Sequence, residues 1–200
     1  MYLRFKKIEE IKMSIDFSTY SYNDYSDFPL FAYRCVSHLI DDTNISLLWK
    51  LLYYDDNDAW KEDAAHPDLT RAQKGALVYN GSINETDYRV FLDIGAPDPE
   101  KFSRCQIRIS PALLEPTTHI IGKIVLAAEV YSHFSVNTLS NYCTRTDTVA
   151  QLMLSSLNGA EISGIGRLYF DRSASRQCGM SIIGTIPIKG RRIIFANNIT

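Results

Sequence analysis

One uninterrupted stretch, Ile120–Phe134, constrains the fold more than any other part of this sequence. It is rich in Val, Ile, Ala and Tyr and has few charges. A strand of up to ~15 residues is much longer than the usual ~5–6. Shortly before it, Cys105, Ile107 and Ile109 alternate with polar residues, which is typical of a strand with one polar face. Together these stretches predict a long β-hairpin that reaches beyond its own domain, with Gly122 as a possible bulge.

Helical patterns precede the hairpin. Apolar residues recur every three or four positions over residues 31–39 and again over 45–52. Thr43–Asn44 offers an N-cap for the second helix, and the acidic segment Asp55–Asp58 is expected to end it.

Two further helices are predicted from capping signals. Thr70 and Gln73 match a capping box, and the short helix that follows is expected to stop at Asn80–Gly81. Thr144 with Asp147 resembles a second box, whose helix ends at Asn158–Gly159.

The remaining strands are shorter. Alternation over Tyr88–Ile94 predicts one strand, Pro111–Pro116 is expected to be a loop, and Arg167–Phe170 predicts another strand. Residues 181–188 and 191–196 resemble a hairpin around a Lys189–Gly190 turn. Because strands are grouped rather than alternating strictly with helices, the sequence predicts an α+β fold, with a mostly antiparallel sheet flanked by helices.

The chain divides into an arm and a domain. Residues 1–30 include a segment rich in Ser, Tyr, Asp and Asn without helical or strand periodicity. We interpret it as an extended N-terminal arm that becomes ordered by packing on its own domain or on a neighbour. Residues 31–200 are predicted to form a single α+β domain.

The charge of the chain is nearly balanced but unevenly distributed. Its 21 basic and 23 acidic residues give a net charge of −2, which argues against a protein that binds DNA phosphates over its whole surface. The last third is locally basic. Its candidate contacts for a DNA channel or a neighbouring subunit are Arg167, Arg172, Arg176, Lys189, Arg191 and Arg192.

Patterns typical of catalysis, metals or cofactors are weak. The four cysteines have no metal-knuckle or redox spacing, and Asp55–Asp58 lacks the glycine and glutamate of a calcium loop. His133, Cys143 and Asp147 permit a Cys-His-Asp hypothesis, but no oxyanion motif accompanies them. We therefore expect no enzyme activity, no metal and no cofactor.

Signals for export or membrane insertion are also weak in this sequence. The basic start of the chain lacks an apolar h-region, and no window approaches the ~20 apolar residues of a membrane span, so we expect no signal peptide and no membrane partner. The sequence leaves open whether Met1 or Met13 is the true start.

Several segments carry a family likeness. The chain resembles virion neck proteins of large tailed bacteriophages, the head–tail connector and tail-completion group, over about residues 43–200. The segments that carry this resemblance are Leu48–Ala59, Leu69–Lys74, Tyr79–Gly81, Ile107–Pro111, Gly122–Val125, Leu139–Asp147, Leu157–Gly159 and Gly164–Asp171. The order of elements is similar to that of tail terminators, and the arm lies outside the resemblance.

The resemblance implies a structural role. Proteins of this kind form a closed ring around the DNA channel at the head–tail junction, so the implied location is the virion neck after synthesis in the host cytoplasm. The implied partners are copies of itself, in a multiple of six, the portal, and other neck and tail proteins. Non-specific contact with genomic DNA is also implied. The long hairpin and the arm are candidate contacts with the next subunit.

Two other functions remain open from the sequence. One is a small α+β hydrolase that uses Cys143 or His133. The other is a DNA-associated accessory protein that uses the basic last third.

Overall fold

The computed structural model describes residues 30–82, 87–92, 103–116, 122–171 and 188–199. The proposed arm, apart from Leu30, therefore lies outside the described residues. Across the described part, the molecule combines helices with a mixed, mostly antiparallel sheet, which confirms the α+β prediction. No helix in these ranges is both long and apolar enough to cross a membrane.

Three helices precede the sheet. They are α1 (Phe31–Asp41), α2 (Ser46–Tyr53) and α3 (Arg71–Ala76), with a 3₁₀ turn at Thr43–Ile45 before α2. The N-cap expected at Thr43–Asn44 is wrong, because the Asp42 side chain instead caps the 3₁₀ turn by accepting from the Asn44 amide.

The capping box of α3 is confirmed, but the end of this helix is not. The Thr70 hydroxyl accepts from the Gln73 amide while the Gln73 side chain accepts from the Thr70 amide. The helix ends at Ala76 rather than at Asn80–Gly81, because Val78 leaves it to form a β-bridge with Val90.

The main sheet has five strands in the order β1-β2-β3-β7-β6. Their bounds are β1 (Val90–Phe91), β2 (Cys105–Pro116), β3 (Gly122–His133), β6 (Tyr169–Phe170) and β7 (Ile188–Ile199). Only the β1–β2 pair is parallel. The predicted long hairpin is β2 with β3, twelve residues in each strand. β3 is paired on both edges, to β2 and to β7, so it lies inside the sheet.

Two expectations fail because β3 supplies a long row of hydrogen-bonding partners. β2 continues through the supposed Pro111–Pro116 loop, and its register shifts between Pro111 and Leu113, so the bulge lies there rather than at Gly122. Likewise β7 passes straight through Lys189–Gly190, where a turn was expected, and all twelve of its residues pair with β3. A complete ladder therefore outweighs local turn propensity.

Two shorter strand predictions are corrected as well. The strand expected over Tyr88–Ile94 reduces to β1, whose two residues are both buried rather than alternating. The strand expected over Arg167–Phe170 is divided between two sheets: β4 (Glu161–Ile162) pairs with β5 (Gly166–Arg167), and β6 joins the main sheet.

The last two helices follow β3. They are α4 (Phe134–Asn137) and α5 (Arg145–Leu157), and the predicted end of α5 at Asn158–Gly159 is confirmed. At the other end, the Thr144 hydroxyl donates to the Asp147 carboxylate, 2.6 Å away, and does not cap the helix as a capping box requires.

The core lies between the helices and one face of the sheet. It contains Leu39, Trp49 and Met153 from the helices and Ile107 and Val130 from the sheet. Trp49 is 1% exposed, and its indole N–H donates to the Leu39 carbonyl at 2.9 Å. Burying an aliphatic core side chain such as Leu39 or Val130 stabilises the folded state by roughly 1.5–3 kcal/mol. The core therefore attaches the helices to this face of the sheet.

Candidate contact face

The sheet has a second face, opposite the helical core. Since side chains alternate along a strand, the neighbours of the core residues in β1, β2, β3 and β7 point to this side. We call it the second face; its described side chains are Phe91, Arg104, Gln106, Arg108, Ser110, Ala127, Glu129, Tyr131 and Ile194.

A row of charged positions crosses the second face. Phe91, Arg108, Glu129 and Arg192 are successive partners in the registers of β1, β2, β3 and β7. Opposite charges directly across a pair of strands contribute roughly 0.2–1 kcal/mol each. Arg108 and Glu129 therefore place opposite charges directly across β2 and β3.

The side chains near the row also contact one another. The Tyr131 hydroxyl donates to Glu129 Oε2 at 2.9 Å, and the guanidinium of Arg108 lies 4.8 Å from the centre of the Tyr131 ring. Cation–π contacts of this kind are worth roughly 0.5–2 kcal/mol, more when water is excluded. Tyr131 thus links the acidic and basic members of the row.

The second face is covered. Arg104 is only 3% exposed, Gln106 is fully buried, and the guanidinium of Arg104 lies over the Phe91 ring, 5.9 Å from its centre. Ala127 and Ile194 are also buried, although they do not belong to the core cluster that the helices form. Burying a charged group is costly unless it is compensated, so the buried groups of this face depend on partners within the chain rather than on solvent.

The six predicted basic residues are only partly brought together. Lys189, Arg191 and Arg192 lie on β7 and pair with Ser132, Val130 and Glu129 of β3. Arg167 is exposed on β5, in the small sheet, with its guanidinium 3.9 Å from the Glu161 carboxylate. Arg172 and Arg176 lie outside the described residues.

The acidic segment after α2 is a structural loop. Asp55 pairs with Arg89 at 3.2 Å, and the Ser140 hydroxyl donates to Asp58. Asp56 and Asp63 flank His66, 3.1 and 2.8 Å from its two ring nitrogens. Within the described ranges, no group of three His, Cys, Asp or Glu residues is arranged to hold a metal ion.

The Cys-His-Asp hypothesis gains no support from contacts. His133 Nδ1 lies 2.7 Å from the Ser135 hydroxyl, and Asp147 accepts from Thr144. Cys143 is an exposed free thiol. Burial raises the pKa of both Cys35 and Cys105 to about 12, so these two remain protonated thiols.

Two features were missed at the sequence level. The alternating polar residues of β2 were interpreted as one polar face, but not as a buried one. Glu129 and Tyr131 alternate with Ala128 and Val130 on β3, so the same period-two signal was present there. The sequence did not reveal the register, that is, which residues of neighbouring strands lie opposite one another.

One comparison with known proteins produced a match. The model of the YomW family matches residues 46–183, well over half of the chain. Searches of curated proteins and of solved structures found no match.

Proposed function

The chain belongs to the YomW family, which is phage-derived, and from this premise we propose that it is a structural subunit of the phage neck. In this proposal it forms a ring around the DNA channel at the head–tail junction, in a multiple of six copies. Its other partners are the portal and the remaining neck and tail proteins, with non-specific contact to the genome.

The observation that carries the proposal is the sheet. Three strands of twelve residues present a second face of arginine, tyrosine and apolar groups in one plane. Arginine and aromatic residues are enriched in the buried centres of protein interfaces. Arg104, Gln106, Ala127 and Ile194 are already buried within the single chain, so contact with a neighbour would use the more exposed groups of the sheet, such as Leu113 and Tyr169.

The charge distribution supports contact between copies. Residues 55–68 carry six acidic residues and one lysine, whereas residues 162–200 carry six basic residues and one aspartate. A ring is closed by heterologous contacts, in which one surface of a subunit meets a different surface of the next. Opposite charges on the two surfaces favour that head-to-tail arrangement.

The direct test is to image purified particles by cryo-electron microscopy with symmetry imposed at the neck. We expect density for this chain there, in a multiple of six copies, and cross-links to portal or tail proteins. Absence of the protein from virions would refute the proposal.

A charge-reversal variant tests the basic surface. Replacing the exposed Arg167 by glutamate should leave many phage heads and tails unjoined, because attraction between neighbouring subunits becomes repulsion. Arg71→Glu is the matched control, since Arg71 is exposed and pairs with Asp41. Equal assembly of both variants would contradict a role for this surface.

A DNA-associated accessory role is the second proposal, favoured by the exposed Arg167 and the basic positions of β7. Phosphate contacts weaken steeply with salt, so affinity for duplex DNA should fall between low and physiological salt. Salt-independent binding would exclude this role.

We also propose that the chain acts without catalysis. His133→Ala and Cys143→Ala together should leave infectivity unchanged. A loss of infectivity with intact particle assembly would instead favour a hydrolase.

A further inference from the structure

Tyr142 combines a strained backbone with an exposed aromatic side chain. Its φ is 65°, in the left-handed region, and within the described ranges it is the one non-glycine residue with a positive φ. A bulky aromatic residue in this region costs stability that glycine would not cost. The side chain is 93% exposed, so little packing inside the subunit offsets that cost. Strained residues of this kind cluster at functional sites, which makes Tyr142 a candidate contact residue.

Hydrogen bonds fix the loop that carries Tyr142. Thr138 and Thr144 form a β-bridge at its base. The Leu139 amide donates to the Cys143 carbonyl, and the Tyr142 amide donates to the Leu139 carbonyl, each at 3.0 Å. A backbone that is already ordered loses little conformational freedom when its side chain enters a partner surface, which favours binding.

The Tyr142 loop is joined to the acidic loop that follows α2. The hydroxyl of Ser140, two residues before Tyr142, donates to the Asp58 carboxylate. The same hydroxyl accepts from the indole N–H of Trp60 at 2.9 Å. The Ser140 amide donates to the Asn57 carbonyl, also at 2.9 Å. These bonds hold Tyr142 beside the acidic loop.

The acidic loop makes the surroundings of Tyr142 negative. Residues 55–68 carry six acidic residues and one lysine, and the side chains of Asp56, Glu62 and Asp63 are exposed. We call residues 55–68 together with Tyr142 the acidic surface. An exposed phenol ring next to carboxylates suits a partner that offers cations together with apolar or aromatic groups.

A second copy of the chain offers those groups on β5 and β6. Arg167 and Tyr169 flank the buried Leu168, and their side chains are 56% and 55% exposed. Arg167 lies 3.9 Å from the Glu161 carboxylate, but an ion pair this exposed is worth little, so Arg167 can exchange Glu161 for carboxylates of a neighbour. Cations and an aromatic ring therefore stand together where the acidic surface needs them.

The two surfaces belong to different contacts of one subunit. Tyr142, Arg167 and Tyr169 are all exposed in the single chain, so the acidic surface does not cover β5 and β6 of its own copy. Two different surfaces that complement each other produce a heterologous contact, which a ring repeats from subunit to subunit.

We propose that Tyr142 anchors the contact between copies by packing against Arg167 and Tyr169 of the next subunit. The guanidinium of Arg167 then lies among the carboxylates of the acidic surface, and the two tyrosine rings pack together. The inference rests on the proposed assembly from copies of this chain and adds the surfaces that meet.

Mixing two variants of the full-length chain tests the pairing. Tyr142→Gly damages one surface and Arg167→Glu damages the other, and sedimentation velocity over a concentration series measures association. Each variant alone should associate more weakly than wild type, by at least about thirtyfold for Tyr142→Gly, the loss typical of an interface anchor. An equimolar mixture should form heterodimers and stop there, because it restores one intact contact per pair. A mixture without heterodimers, or a wild-type chain that stays monomeric, would overturn the proposal.

A matched control and a stability measurement separate contact from folding. Phe134→Ala removes another exposed aromatic side chain and should leave association unchanged. Tyr142→Gly should unfold in urea at the same or a higher midpoint than wild type, because glycine adopts a positive φ without strain. A lower midpoint would mean that Tyr142 stabilises its own subunit, and it would overturn its assignment as a contact residue.

The outcomes also distinguish this inference from the proposed function. Self-association that Tyr142→Gly leaves unchanged overturns the assigned surfaces, while the neck role stands. Absence of the protein from virions refutes the neck role, whatever the mixture of variants shows.

Discussion

Replacing Arg145 by methionine removes a buried side chain that donates hydrogen bonds to four backbone carbonyls. The guanidinium is completely buried and donates to four backbone carbonyls, those of Leu51, Tyr54, Asp56 and Val136, at 2.5–2.7 Å. Two of these carbonyls, Leu51 and Tyr54, lie at the C-terminal end of α2, where helix carbonyls lack partners. Arg145 therefore joins α5 to the end of α2 and to the acidic loop.

The expected loss of stability comes from the four backbone carbonyls that no longer accept a hydrogen bond from Arg145. Methionine is apolar, so it carries no charge whose burial must be compensated. Burial itself lowers the pKa of Arg145, and the carboxylate of Asp55 opposes that shift. Each buried carbonyl without a partner costs roughly 1–3 kcal/mol. Because water can reach some of the four, we expect Arg145→Met to lower the free energy of unfolding by about 4 kcal/mol.

Urea unfolding followed by circular dichroism measures this loss. Arg145→Lys keeps the charge but cannot reproduce the planar fork, so it should lose about 2–3 kcal/mol. Arg71→Met is the control, and its exposed ion pair should be worth under about 1 kcal/mol. If Arg145→Met costs no more than Arg71→Met, the four carbonyl contacts do not hold these elements together.

Three other changes have defined outcomes. Trp49→Ala should cost about 3–5 kcal/mol in urea unfolding, because it empties a fully buried site; a near-silent change would contradict that burial. Thr70→Ala should cost about 1 kcal/mol by removing the cap of α3, whereas Thr70→Ser should restore it. The bond to Asp63, and then that to Asp56, raises the pKa of His66, although partial burial opposes the shift. The stabilisation that protonated His66 provides is therefore complete below pH ~6.5, and it is lost as the pH rises through the pKa of His66 in the folded state. Wild type should lose more stability than His66→Gln between pH 6 and pH 9, and parallel pH profiles would refute this.

The candidate face shows how far sequence reasoning reached. Alternation in β2 correctly predicted that Gln106 and Arg108 share one side of a strand, whereas Arg104 precedes β2. It did not predict that Arg108 meets Glu129, because cross-strand partners depend on register between distant segments. The basic residues were grouped by closeness in the sequence, but Arg167 lies in the small sheet while Arg192 lies on β7 of the main sheet.

The sequence by itself determined those elements whose stability comes from residues close together in the chain. The apolar stripes of α1, α2 and α5, the capping box of α3 and the long hairpin all follow from periodicity or short-range hydrogen bonds. Tertiary pairing decided the rest. Pro111–Pro116 and Lys189–Gly190 have the composition of turns, yet they are strand because β3 offers each a continuous row of partners. A β-ladder is completed only when distant strands meet, so its register and its covered face were decided by the tertiary structure.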